Sequence, residues 1–164
     1  MRKLNIVLAA LCSLTPLCAN AVDEREQEAL KNMGVVLGWR LGAETIEEHC
    51  RTIDPAGVKI RAEALQAFKT KNAQQILAVD DRVKEVAPLF KSAPPNIDVA
   101  AAVRAQIKRL VLETNFPDSA PEKVLAACKI EADPTRATWT SNGRPFVDEA
   151  LAALYDWKVQ QTAK

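Results

Sequence analysis

The sequence predicts an all-α protein: a single-domain bundle of five or six helices with one disulfide. Apolar residues recur at spacings of three and four along most of the chain, and no stretch alternates apolar with polar residues as a half-buried strand does. Aromatic residues make up only 5% of the chain, whereas strands favour aromatic and β-branched side chains. Closely packed helices therefore fit this composition better than β-sheets do.

The first 21 residues have the pattern of a cleavable signal peptide. Arg2 and Lys3 form a short positive start, an apolar run covers residues 4–17, and Ala19-Asn20-Ala21 is the small-x-small pattern that signal peptidase cuts. Export to the periplasm, or secretion, is therefore expected. The mature helical domain would comprise residues 22–164.

The cysteines divide between the leader and the mature chain. Cys12 and Cys18 each follow a leucine, and lipoprotein processing needs a small residue there, so a lipid anchor is not expected. Removal of the leader leaves Cys50 and Cys128, which should form a disulfide in an oxidising compartment. The alternative is a pair of free thiols that serve catalysis or bind a metal.

The charges nearly balance, with 22 lysine and arginine residues against 21 aspartate and glutamate residues. Binding to nucleic acid or to an anionic membrane would need clustered positive charge, so neither is expected. Polar residues 23–25 follow the apolar run with no second apolar segment behind them, so insertion into a membrane is not expected either.

The first helix is expected from about Asp23 to Cys50, with acidic residues in its first turn that favour the positive end of the helix dipole. Gly34, Gly38 and Gly42 lie four residues apart along one line of this helix. Each glycine costs up to about 1 kcal/mol in a helix interior, so some contact should compensate. Close packing within the chain is the favoured interpretation, and self-association through the three glycines is the alternative.

Asp54-Pro55 is a helix-start signal, because aspartate caps free amide groups and proline suits the first helical position. The apolar stripe that follows continues to Phe90. It predicts one long helix, or two collinear helices that meet near Lys71. Pro88 should kink or end this segment, and a turn is expected at residues 93–96.

Three further helices are expected, beginning at Asn96, Ser119 and Pro145. The first should stop before Phe116-Pro117, because the residue ahead of a proline avoids the α region. Between the second and the third, residues 133–143 show no helical period and form the longest predicted loop.

This loop is the best sequence candidate for a binding surface. A tryptophan stands there among small polar residues and between arginines, which is the composition of a protein-binding hot spot. The candidate partner-binding residues are Arg136, Trp139, Asn142 and Arg144. The alternative is that Trp139 folds back and closes the end of the helical core.

The sequence offers little catalytic chemistry. The single histidine, His49, precedes Cys50 and follows Glu47 and Glu48, which allows a thiol–imidazole pair or a metal site to be imagined. Adjacent helical residues point about 100° apart, and a disulfide would remove the nucleophile. No catalytic residue, metal ligand or cofactor site is therefore expected, and phosphate-loop, nucleophile-elbow, Cys-x-x-Cys and calcium-loop motifs are absent from the sequence.

The expected function is non-enzymatic: binding of another protein, as an accessory or adaptor. In its overall design the chain also resembles small two-cysteine helical proteins that neutralise secreted antibacterial enzymes. That resemblance makes an inhibitor or immunity protein against a secreted toxin or hydrolase the second hypothesis. A thiol- or metal-dependent enzyme that uses the region of His49 and Cys50 is the third.

Overall fold

The computed structural model describes residues 23–133 and 144–163, and within these ranges it contains helices and no strand. The helices are α1 (Glu24–Ile53), α2 (Val58–Lys71), α3 (Ala73–Val86), α4 (Val99–Asn115), α5 (Pro121–Glu131) and α6 (Arg144–Thr162). Short 3-10 turns at Pro55–Gly57 and Ala87–Leu89 precede α2 and follow α3. The all-α prediction is confirmed. Of the helices described, none has a stretch long and apolar enough to cross a bilayer.

The longest helix, α1, forms the axis of the bundle. The Asp23 side chain caps its start by accepting the Arg25 N–H at 3.2 Å, as an N-cap aspartate does. The helix extends to Ile53, beyond the predicted end at Cys50. Its last turn closes where the Asp54 N–H donates to the Cys50 carbonyl at 2.9 Å, so Asp54 ends one helix as well as preceding the next.

Helices α2 and α3 run back along α1 and meet at Asn72, one residue beyond the predicted junction. The Asn72 N–H still donates to the Phe68 carbonyl at 3.0 Å, so helical hydrogen bonding continues into the junction. The Phe68 ring lies 5.3 Å from the ring of Trp39 in α1. Lys69 Nζ lies 2.7 Å from Glu44 Oε1, and beyond α3 the Lys91 N–H donates to Glu26 Oε1 at 2.9 Å. The contacted positions of α1 move back toward its start as the chain advances, so α2 and α3 run antiparallel to α1.

Helix α6 lies beside α3 and runs in the same direction. Three polar contacts join the two helices, and the partners in each are 73 positions apart. They are Gln75 with Asp148, the Arg82 guanidinium with the Tyr155 ring, and Lys158 with Glu85. Because the difference in residue number between the partners stays constant along both helices, α3 and α6 pack parallel to each other and in register.

The main core is formed by α1, α3, α4 and α6. Its largest fully buried members include Met33, Leu37, Val83, Ile107 and Leu154. Phe90 and Trp157 close one end, with ring centroids 4.7 Å apart. Among the described residues this core contains none from α2 or α5.

A smaller cluster lies beside the main core, and Val111 packs on both. Its buried members are Ile46, Cys50 and Cys128, and the partly buried side chains packed on it are Ile53, Val111, Phe116 and Val124. This second cluster holds α5 against the C-terminal ends of α1 and α4. The bundle therefore has two apolar centres of very different size.

The three glycines along one line of α1 do not all lie in close contact with a neighbouring part of the chain. Gly34 is buried, but a Cβ added to Gly38 or Gly42 would meet no heavy atom within 4 Å in the described part of the chain. The favoured sequence interpretation, close packing within the chain, is therefore wrong at Gly38 and Gly42. Self-association through the three glycines stays a prediction.

Gly38→Ala and Gly42→Ala should each raise the free energy of unfolding, by about 0.4–1 kcal/mol, because alanine restricts the unfolded chain and favours the helix. The open space at both positions removes the steric penalty. Urea unfolding of the single and double variants measures the gain. A loss of stability would show that these glycines serve a contact within the folded chain after all.

Candidate functional site

The most heavily bonded polar side chain described is Arg61 of α2, which is only 1% exposed. Its Nη1 donates to Asp54 Oδ2 at 2.7 Å and to the Cys128 carbonyl at 3.3 Å. Its Nη2 donates to the Asp54 carbonyl at 2.7 Å and to the Cys50 carbonyl at 3.2 Å. Asp54 is buried as well, so the buried positive charge has a buried negative partner, as such charges require.

The acceptors of Arg61 are the ends of two helices. Cys50 lies in the last turn of α1, and Cys128 lies in the last turn of α5. Both carbonyls also accept a backbone N–H, from Asp54 and Ala132, and a carbonyl oxygen has a second lone pair for another donor. The C-terminal end of a helix carries partial negative charge, so a guanidinium there is favourable. Arg61 therefore joins the same two helix ends that the disulfide joins. The sequence interpretation did not identify it.

Gly57 makes room for this ion pair. A Cβ at Gly57 would lie closer than 3.0 Å to Asp54 Oδ2 and Arg61 Nη1, and 3.1 Å from Arg61 Cζ. The backbone of Gly57 is near φ −86° and ψ −7°, which any residue can adopt. Space, and not conformation, is the reason for glycine at this position.

Gly57→Ala should therefore lower the free energy of unfolding by about 1–3 kcal/mol, the usual cost of overpacking a filled interior. The added methyl group must displace either the Arg61 guanidinium or the Asp54 carboxylate from their hydrogen bonds. Urea unfolding measures the loss, with Gly38→Ala as the matched control. The two substitutions should change the free energy of unfolding in opposite directions: Gly38→Ala should raise it and Gly57→Ala should lower it. A gain in stability from Gly57→Ala would contradict the geometry.

Cys50 and Cys128 form a disulfide, with their Cα atoms 5.4 Å apart, which confirms the predicted pairing. Both cysteines are 0% exposed. In this oxidised state neither sulfur is a thiol, so the His49–Cys50 pair that was considered as an enzyme site has no nucleophile.

Beside the disulfide lies a groove with a volume of about 520 Å³. Its aromatic and apolar lining is formed by His49, Ile53, Leu112, Phe116, Pro121 and Val124. These residues belong to α1, α4, the α4–α5 linker and α5. The polar lining residues are Glu113, Asp118 and Ser119, and the described part of the lining includes no lysine or arginine. We call this feature the Phe116 groove.

His49 forms part of the wall of the Phe116 groove. Its ring centroid lies 4.5 Å from that of Phe116. Its Nε2 is buried and has no hydrogen-bond partner among the described residues. A buried polar atom normally has a partner, so a bound molecule that supplies one would be stabilised here.

The two carboxylates of the groove each have a basic neighbour outside it. A hydrogen bond from Lys123 and another from the Ala120 N–H lower the pKa of Asp118, which keeps this carboxyl ionised at neutral pH. Glu113 Oε1 lies 3.5 Å from Arg109 Nε. Both carboxylates remain exposed to solvent.

The predicted partner-binding loop is not among the segments that the structure describes. Arg136, Trp139 and Asn142 lie outside the described residues, and so does the side chain of Arg144, the first residue of α6. Within residues 23–133 and 144–163, no group of three or more histidine, cysteine, aspartate or glutamate side chains could hold a metal ion.

Comparison with protein-family models, with curated proteins and with solved structures finds no match to this chain.

Proposed function

We propose that this protein acts by binding another protein, as an accessory or adaptor, in an oxidising compartment outside the cytoplasm. The observation that carries the proposal is the Phe116 groove, an apolar recess beside a buried disulfide. Its proposed occupant is a short segment of the partner in which an apolar side chain is flanked by lysine or arginine.

The size and lining of the groove support this occupant. The volume lies within the range of about 300–1,000 Å³ that is typical of small-molecule sites, which is room for an apolar side chain, and burial of such a side chain contributes about 1.5–3 kcal/mol. Glu113 and Asp118 are paired with Arg109 and Lys123 but remain exposed, so a lysine or arginine of the partner can exchange with either neighbour and keep these carboxylates paired. His49 Nε2 supplies a hydrogen-bonding atom for the polar backbone that accompanies the side chain.

The fixed geometry of the groove also favours binding. The disulfide holds α5 against α1, and Arg61 bonds to the end of both helices. A surface that is ordered before the partner arrives loses less conformational entropy when the complex forms.

The inhibitor or immunity hypothesis uses the same surface with a toxin or hydrolase as the partner, so the identity of the partner separates the two binding roles.

The enzyme hypothesis has less support, because Cys50 is part of the disulfide. Thiol counting on the native protein tests it: two reactive thiols would favour an enzyme, and none would favour a binding protein.

Site-specific photo-crosslinking tests the groove. A photoreactive amino acid would replace Val124 in the groove and, in a matched control, Leu77 of α3, which is 62% exposed. In cells that make the protein, we expect a crosslinked partner from position 124 and none from position 77. The crosslinked peptide should carry an apolar residue next to lysine or arginine. Equal crosslinking from both positions, an acidic partner segment, a small molecule or a second copy of this chain would each overturn the proposal.

A pull-down with the partner identified by crosslinking separates the groove from the predicted loop. Phe116→Ala should reduce partner recovery strongly, whereas Trp139→Ala should leave it unchanged. The reverse result would move the binding site to the loop.

Mass spectrometry of the exported protein tests the compartment. The chain should begin at Val22 with no alkylatable cysteine. An intact Met1 with both cysteines alkylated would contradict export.

A further inference from the structure

We infer that the Cys50–Cys128 disulfide switches the Phe116 groove on: reduction releases α5 and dismantles the groove while the main core stays folded. The biological meaning of this switch rests on the proposed function. The structural claim does not, because it concerns α5 alone.

The first observation is that α5 is separate from the main core. None of the described members of that core belongs to α5. The helix buries only Cys128 and Glu131, and its apolar contact is with the small cluster around the disulfide. A segment with so little buried apolar surface opens locally at a lower free energy than the whole domain.

The second observation concerns Arg61, which does not depend on α5 for its charge partner. Only one of its four hydrogen bonds reaches α5, the bond to the Cys128 carbonyl at 3.3 Å. The other three go to Asp54 and to the Cys50 carbonyl. Arg61 and Asp54 therefore remain paired when α5 leaves, so release of α5 does not separate this buried ion pair.

The third observation is that the groove needs both helices that the disulfide joins. His49 and Ile53 on one side belong to the end of α1, and Pro121 and Val124 on the other belong to α5. Cys50 and Cys128 lie in the buried cluster on which Ile53, Phe116 and Val124 pack. Without the covalent link and α5, the recess loses one wall and its floor.

The switching reaction is a thiol–disulfide exchange with a dithiol. A thiolate of the dithiol attacks one sulfur of the bridge, the Sγ–Sγ bond breaks, and a mixed disulfide forms. The second thiol of the reductant then displaces the remaining protein thiolate. Cys50 and Cys128 end as two thiols, and the dithiol leaves as its own disulfide after a two-electron transfer. Because both sulfurs are fully buried, α5 must open before the attack.

Hydrogen exchange read by mass spectrometry tests the switch on the full mature chain. Dithiothreitol would be added in native buffer, and exchange compared before and after reduction. Peptides from residues 121–131 should lose protection, whereas peptides from residues 76–90 and 99–111 should keep it. The variant Cys50→Ala/Cys128→Ala should show the same pattern without reductant. Loss of protection throughout the chain, or unchanged protection in residues 121–131, would overturn the inference.

The rate of reduction provides a second test that needs no partner. Gly38→Ala/Gly42→Ala should strengthen the main core far from α5, so the rate should stay within about twofold of the parent if opening is local. Phe116→Ala weakens the contact with α5 and should speed reduction by about tenfold or more. A rate that falls in step with the added stability of the glycine variant would mean global unfolding. Failure to find a partner would contradict the proposed function, but it would not affect the hydrogen-exchange and reduction-rate results.

Discussion

Replacing Arg61 with methionine should lower the free energy of unfolding by about 3–5 kcal/mol, the usual cost of removing one partner of a buried ion pair. Methionine fills much of the same space but donates no hydrogen bond. The Asp54 carboxylate would then remain buried without its cation, and the Cys50 and Cys128 carbonyls would lose a donor. Urea unfolding at neutral pH, followed by circular dichroism, measures the loss.

The matched control is Arg109→Met. Arg109 also pairs with a carboxylate, with its Nε 3.5 Å from Glu113 Oε1, but both side chains are more than half exposed. Solvent screens such a pair, so little change in stability is expected. Arg61→Lys should retain part of the stability, because lysine keeps the charge without the planar fork that reaches several acceptors. Equal losses in Arg109→Met and Arg61→Met would show that burial of Arg61 has no special role.

Local signals in the sequence predicted the helices well. Asp23 and Asp54-Pro55 mark helix starts, and Phe116-Pro117 marks an end, because caps and prolines act on the nearest turn of backbone. The disulfide could be predicted as well, since removal of the predicted leader would leave only Cys50 and Cys128. Each of these inferences needs only neighbouring residues or a count.

Features that depend on how helices meet could not be predicted. The glycine spacing in α1 is the same whether a neighbour packs on it or not, so the open space at Gly38 and Gly42 had no signal in the sequence. The parallel register of α3 and α6 also depends on tertiary packing, since apolar periodicity identifies a buried face but not its partner. The Phe116 groove needs three separate helices to converge.

The burial of Arg61 was not predicted, although the sequence contains an indication of it. It lies on the same face of α2 as Val58, Leu65 and Phe68, three residues after the first of them, and a charge within an apolar stripe indicates a buried pair. Asp54, seven residues earlier, was interpreted only as a helix cap. Its second role appears when the chain turns at Gly57 and brings the carboxylate to the guanidinium at 2.7 Å.

Removing the disulfide with Cys50→Ala/Cys128→Ala should lower the free energy of unfolding by about 4 kcal/mol, according to the chain-entropy model for a long loop. The bridge spans 78 positions, so its loss frees a large part of the unfolded chain. Urea unfolding in the absence of reductant measures the change. The parent protein with its disulfide reduced should unfold at the same urea concentration as the variant.

Combining this change with Arg61→Met distinguishes the roles of the two links between α1 and α5. Three of the four Arg61 hydrogen bonds do not involve α5, so Arg61→Met should cost nearly as much without the disulfide as with it. The two losses should therefore add to within about 0.5 kcal/mol, as for independent sites. A much smaller effect of Arg61→Met in the disulfide-free chain would mean that Arg61 acts mainly through α5. In that case the buried ion pair would depend on the disulfide, and α5 could not leave without weakening the main core.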